Sequence, residues 1–178
     1  KSGTSPSGII GIGQTNVTLA VFELNAQGED IQIQRADIFV TGTSDGDNAD
    51  TTVTTDQDFA GTIKLMTDAG QTLYSVAATT ATLYDDDTAG NDVVTFSTYY
   101  TIPAATTLKI KLVADASSTI DGTDTAIGNI SDVYFKRMTT NTYGTASAAT
   151  AVAGNTLTAT SATLTVVSNA SVGDTTVI

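Results

Sequence analysis

Leu108, Ile110 and Leu112 alternate with Lys109 and Lys111, the two-residue period of a strand with one face buried and one in water. The same period runs through Val17, Leu19 and Val21, with Thr18 and Ala20 between them. Phe22 and Leu24 then move the apolar set to the other parity. This predicts a β-bulge near Val21-Phe22, because one extra residue turns every later side chain to the opposite face. Ile31 and Ile33 alternate with Gln32 and Gln34, and Ile38 and Val40 follow a second parity change around Arg35-Ala36. No stretch sustains the 3.6-residue period of a helix.

Turn chemistry separates these runs. Asp68-Ala69-Gly70-Gln71 lies between the apolar runs 63–66 and 73–76 and reads as a hairpin, and 25–30, carrying Gly28, reads the same way between the second and third strands. Ile102-Pro103-Ala104-Ala105 is a turn entering the Leu108 strand, since Pro103 cannot donate to a central ladder. Longer Asp-rich loops fall at 42–58, 85–92 and 121–124. The pattern predicts an all-β fold, an antiparallel sandwich of roughly seven to ten strands. Residues 17–21 echo 108–112 at an offset of 91, but the echo stops there and no linker divides the chain. A single domain over 1–160 is expected, followed by a terminal strand over 161–178.

Composition agrees and then excludes. Thr supplies 36 residues and Ala 23, against five Phe, six Tyr and no Trp. β-branched Thr suits a pleated surface, and the strong helix formers are sparse. The absence of His and Cys removes zinc fingers, thiol and histidine-triad catalysis, imidazole bases and disulfides. A net charge of −12 repels phosphates, and Arg35, Lys64, Lys109, Lys111, Lys136 and Arg137 stand singly or in pairs. Nucleic acid is therefore not the expected partner. Apolar runs of four or five residues fall far short of the ~20 that a membrane-spanning helix needs. The chain begins at Lys1 without a leader, as a mature secreted product or a piece of a longer protein does. Seventeen Asp against two Glu, with abundant Thr and Ala and little Lys, point to export and a prokaryotic cell surface.

The C-terminal part carries a specific expectation. Residues 146–153 are small and polar, then Leu157, Leu164, Val166 and Val167 lead to a strand pattern still running at Val177 and Ile178. An apolar strand end leaves unpaired backbone groups. Either the chain continues into a similar unit, or the strand is donated to a neighbouring subunit.

Three stretches stand out together: residues 16–26 leading into 29–33, Ile102-Pro103-Ala104 with Thr107, Leu108, Ile110 and Asp115, and residues 154–158 with 161–166. In that order they resemble the opening, middle and close of the Ig-like β-sandwich modules of prokaryotic cell-surface proteins (surface layers, filaments or pili, and long repetitive proteins). The resemblance implies an Ig-like or jelly-roll-type sandwich with a structural role and no catalytic residue. The loop 42–58 and Tyr99-Tyr100 depart from it.

Candidate chemistry is sparse. Asp45, Asp47 and Asp50 around Gly46 and Asn48, Asp85, Asp86 and Asp87 with Asn91 and Asp92, and Asp121 with Asp124 offer the oxygens that Ca²⁺ takes. Asp and Asn also populate loops simply because they cap turns. Paired carboxylates can serve a glycosidase, but no Trp platform accompanies them, and no enzyme is expected. Tyr99 and Tyr100 are candidate stacking groups for a surface glycan. Sequons occur at Asn16, Asn129 and Asn169. A lysine crosslink would need a buried Lys beside an acid or Asn; Lys64, between Ile63 and Leu65, reads instead as an outward strand lysine.

The expected function is architectural: an extracellular homopolymer built by β-strand addition. The donor is 7–12, with Ile10 and Ile12 setting register, or 164–178, with Leu164, Val166, Val177 and Ile178. Alternatives are one tandem Ig-like module of a larger adhesin and a carbohydrate-binding module.

Overall fold

A strand that alternates apolar and polar residues has one face to hide, and two such sheets hide their faces against each other. The structure, a computed structural model, describes residues 1–43, 59–77, 94–118, 120, 122 and 124–161. Among these, ten strands form: β1 (Gly8–Gly11), β2 (Val17–Asn25), β3 (Ile31–Thr43), β4 (Phe59–Thr67), β5 (Thr72–Ala77), β6 (Val94–Ile102), β7 (Thr107–Ala116), β8 (Thr125–Arg137), β9 (Tyr143–Ala153) and β10 (Leu157–Thr160). One sheet of six strands runs β1-β10-β8-β3-β6, with β9 also pairing β8, and a second of four runs β2-β7-β4-β5. The all-β sandwich expected from the sequence is what forms. Every ladder is antiparallel except β1 with β10, which is parallel.

The core lies between the sheets. Leu19, Phe22, Phe59, Ile63, Leu65, Ile110 and Leu112 enter it from the four-stranded sheet, and Ile10, Ile33, Ile38, Val40, Ile130 and Leu157 from the other. The sheets approach most closely at small residues. A Cβ placed on Gly154 would lie 2.9 Å from the Ala20 Cβ and 3.0 Å from the Gly128 carbonyl oxygen. One placed on Gly128 would lie 3.0 Å from both Ala20 and Leu112.

Three local expectations are corrected. The bulge in β2 falls at Leu19, two residues before the parity break read from the sequence: Thr18 pairs with Val113 and Ala20 with Leu112, so Leu19 is the extra residue. Both Leu19 and Ala20 face the core, and Val21, opposite Lys111, faces outward. Val21 looked like a core residue because it is buried all the same, by the N-terminal segment. In β3 the irregularity falls at Gln34 rather than at Arg35-Ala36. The turn at 25–30 is no hairpin, because β2 and β3 lie in different sheets; it arches across the core. The 68–71 turn does close a hairpin, between β4 and β5.

The two ends of the sandwich differ. At one end four short turns meet, and Glu29 and Asp30 tie three of them together. The Glu29 carboxylate accepts the backbone N–H of Thr139 (2.7 Å) and Thr140 (3.0 Å) and the Thr140 hydroxyl (3.0 Å). Asp30 Oδ1 accepts the Ala104 N–H at 2.8 Å, and its carbonyl accepts the Met138 N–H at 3.0 Å. At the opposite end lie the strand ends Thr43, Phe59, Ala77, Val94, Ala116 and Thr125, which flank the long connections.

Two outcomes follow from this packing. Gly154→Val should destabilise the fold by about 1–3 kcal/mol, the usual cost of overpacking a tight core, measured by urea unfolding. Ala20→Gly in the same chain should recover part of the loss. Glu29 titrates below an ordinary carboxylate, chiefly because the Thr140 backbone N–H donates to it. A depressed carboxylate pKa adds stability above the unfolded value, about 4.3, and that contribution fades as pH falls through the folded one. Melting curves across the acid range should therefore show Glu29→Gln less stable than the parent at neutral pH, with the gap closing on acidification.

Candidate assembly edges

Self-association through strands needs a free strand or a free edge, so each margin of the two sheets is described in turn. The margin at β2 is closed by the first residues of the chain. Ser2 donates its backbone N–H to the Val21 carbonyl (2.8 Å), and the Ser5 hydroxyl accepts the Val21 N–H (3.2 Å). These are the outward-pointing groups of an edge strand, and they are satisfied without a further strand. The Ser2 hydroxyl reaches Glu23 at 2.7 Å. Lys1 Nζ reaches the Gly154 carbonyl (3.3 Å) and the Asn155 side chain, while Asn155 Nδ2 donates to the Ser5 carbonyl (2.9 Å). Residues 1–5 thus staple β2 to the β9–β10 turn. A Ser-rich, Gly-containing start gave no sign of this in the sequence, because the groups it satisfies belong to other strands.

Of the two candidate donor strands, 7–12 is built into its own sheet. Ile10 is 1% exposed in the core, whereas Ile9 on the opposite face is 72% exposed. Ile12 is half-buried, and its N–H donates to the Thr160 carbonyl at 3.2 Å. The Gly13 N–H donates to the Ser117 carbonyl and the Gln14 N–H to the Gly11 carbonyl, so β1 is paired with β10 and held just beyond its C-terminal end. Leu164, Val166, Val177 and Ile178 lie outside the described residues.

β1, with β10 on one side only, is one margin of the six-stranded sheet, and β5, with β4 on one side only, is the far margin of the four-stranded sheet. The other margins of the six-stranded sheet are β9 and β6. Residues 146–153, read from the sequence only as small and polar, belong to β9; Ala has little strand preference of its own, and pairing with β8 decides the outcome. Tyr143, Thr145, Ala146 and Ser147 are exposed, so β9 extends past the cover of the second sheet. Phe135 lies over Gly144, where an added Cβ would meet its ring at 2.7 Å. Four residues, 148–151, bulge where Ser131 alone stands opposite. On β6, Ser97, Tyr99 and Thr101 face outward and Thr98 and Ile102 are buried. Among the described residues no strand lies on the outer side of β9 or of β6.

Their outer face also holds a polar cluster on β3 and β8. Arg35 donates Nε and Nη2 to both oxygens of Asp37, at 2.6 and 2.5 Å, and its guanidinium stacks 4.5 Å from the Tyr134 ring. The Asp37 hydrogen bonds hold the Arg35 proton more tightly than usual. Lys136 stands 5.9 Å over the Tyr143 ring.

Other sequence candidates are only partly brought together. Tyr99 and Tyr100 are consecutive on a strand and point to opposite faces: Tyr99 is 74% exposed, while Tyr100 packs against the core. They do not form one stacking platform. Tyr100 lines a shallow recess of about 350 Å³ with Asp68, Gln71, Thr107 and Lys109. Asp45, Asp47, Asp50, Asp85, Asp86, Asp87, Asp92 and Asp121 lie outside the described residues, Asp124 is buried, and no cluster of three metal-ligating side chains occurs among the described ones. Lys64 faces outward, as expected, and donates to Asn16 Oδ1 at 3.1 Å. Of the sequons, Asn129 is buried and its amide donates to Thr41 and to the Ile127 carbonyl, while Asn16 is exposed and Asn169 lies outside the described residues.

No helix among the described residues is long and apolar enough to cross a membrane. No protein family, curated protein or solved structure matches the chain.

The staple gives a direct test. Ser5→Ala leaves the buried Val21 N–H without its acceptor, and urea unfolding should show a loss of about 1–3 kcal/mol. Asn155→Ala should weaken the same segment from its other side.

Proposed function

We propose that the chain is a structural subunit that assembles with copies of itself, by β-strand addition, into an extracellular filament or surface layer. The observation that carries this reading is the set of sheet margins, β1, β5, β6 and β9, on whose outer sides no described strand lies. Native sheets guard such margins with Lys, Pro, short strands or a covering segment. This chain covers β2 with residues 1–5 yet places no charge and no proline in β6 or β9.

The donor in this reading is the C-terminal segment 161–178, because β1 is already paired with β10 and places Ile10 in its own core. Leu164 and Val166 supply the alternate side chains that set register. Such a contact joins different surfaces of two copies, so it propagates rather than closes. The excess of Asp over Glu and the Thr-rich composition support export. Ca²⁺ held by Asp45, Asp47 and Asp50 or by Asp85, Asp86, Asp87 and Asp92 would offset the repulsion between acidic subunits.

Electron microscopy of the purified chain should show ordered filaments or sheets, and a variant ending at Ser161 should lose them. Loss of order in EDTA, with recovery on adding Ca²⁺, would assign a cation to the acidic connections. Monodisperse chains with and without Ca²⁺ would overturn the proposal in favour of a tandem module.

A further inference from the structure

Resting on the self-assembly reading above, we infer that the sheet itself supplies a second contact between copies: β9 of one subunit pairs antiparallel with β6 of the next, and the six-stranded sheet continues unbroken from subunit to subunit.

Charge is the first reason. Residues 93–108 and 139–173, which contain β6 and β9, include no Asp, Glu, Lys or Arg in a chain of net charge −12. A partner of opposite charge has nothing to recognise there. Two copies of an acidic protein, however, meet with least repulsion where both are uncharged.

Strand direction is the second. From one margin to the other the order is β9-β8-β3-β6, with every neighbour antiparallel. Across an even number of strands, β9 and β6 run in opposite senses. A copy displaced sideways without being turned over therefore presents its β6 antiparallel to β9.

Level is the third. Tyr143 pairs with Lys136, Lys136 with Gln32, and Gln32 with Thr101. Thr145 pairs with Tyr134, Tyr134 with Arg35, and Arg35 with Ser97. Tyr99, between Ser97 and Thr101, thus stands at the level spanned by Tyr143 and Thr145, on the same outer face. Tyr99 and Tyr143 are each 74% exposed in the single subunit. The contact makes them cross-strand neighbours, the arrangement in which aromatic pairs stabilise a sheet. Tyr99 lies in the bulge at 98–99 of β6, and the bulge at 148–151 ends the regular part of β9, so the junction joins 143–147 of β9 to the bulged stretch 97–101 of β6.

The chain has no cysteine, so Thr145→Cys and Ser97→Cys each carry a single thiol. Mixed and treated with a short bis-maleimide, the two variants should give a dimer band that neither gives alone, and the double variant should give a ladder. Adding Tyr99→Lys should abolish the ladder without shifting the melting curve. A dimer from Thr145→Cys alone would mean β9 pairs with itself, and a link from Thr145→Cys to Val166→Cys would mean a terminal strand occupies β9; either result overturns the inference. In a chain ending at Ser161, the ladder should persist although filaments are lost. Filaments with no Thr145–Ser97 link sink the edge contact and leave strand donation standing, whereas monodisperse chains with no link sink both.

Discussion

The two sheets can pack only because Gly128 and Gly154 leave room for Ala20. At that point the six-stranded sheet comes down onto the bulged part of β2, and the Ala20 methyl leaves no space for a second one. The bulge at Leu19 puts two successive residues, Leu19 and Ala20, into the core beside this contact. Beyond it Val21 turns outward, and the first five residues of the chain cover it. Gly154 also opens the β9–β10 turn, where Lys1 and Asn155 hold those five residues in place. One steric constraint thus fixes how the sheets meet, where β2 changes face and how its margin is closed.

The margins of the structure divide into defended and undefended. β2 is covered, and the outer face of its sheet carries ion pairs: Lys111 with Asp68 at 2.7 Å and Lys109 with Glu23 at 3.7 Å. Lys111 holds Asp68 below the usual carboxylate range through its hydrogen bond and charge, but exposed pairs of this kind add little stability. Their effect is to keep that surface polar. β6 and β9 lack such charges, and all seven Lys and Arg lie among the described residues whereas eleven of the nineteen acids do not. The net charge of the chain is therefore carried by the segments outside the described core, and the sheet margins are left close to neutral.

Much of the fold was legible in the sequence because its signals are local. Alternation at Leu108, Ile110 and Leu112 gave β7, and the Asp68–Gln71 turn gave the β4–β5 hairpin. Parity breaks announced the bulges, although their positions were off by one or two residues, since a buried outward residue such as Val21 mimics a core residue. What escaped notice depends on distant partners. Whether the 25–30 turn closes a hairpin or crosses between sheets is decided by which strands pair, not by Gly28. β9 is made of Ala, Ser and Thr with weak preferences, and β8 supplies its register. The cover over β2 is a set of serines whose partners lie elsewhere in the chain. For the candidate edges, the sequence supplied the exposed Tyr99, but the level it shares with Tyr143 exists only once three ladders are in register.

The pairing of β1 with β10, Gly8 with Leu157 through Gly11 with Thr160, has a kinetic meaning. Almost the whole chain separates the two halves of that ladder, and Lys1 must find Asn155 across a similar span. Loop-closure entropy makes such contacts late and slow. During synthesis, β1 has no strand to pair with until residue 160 is free. The Ile10 site stays open until then, so the fold is completed only after β10 has been released.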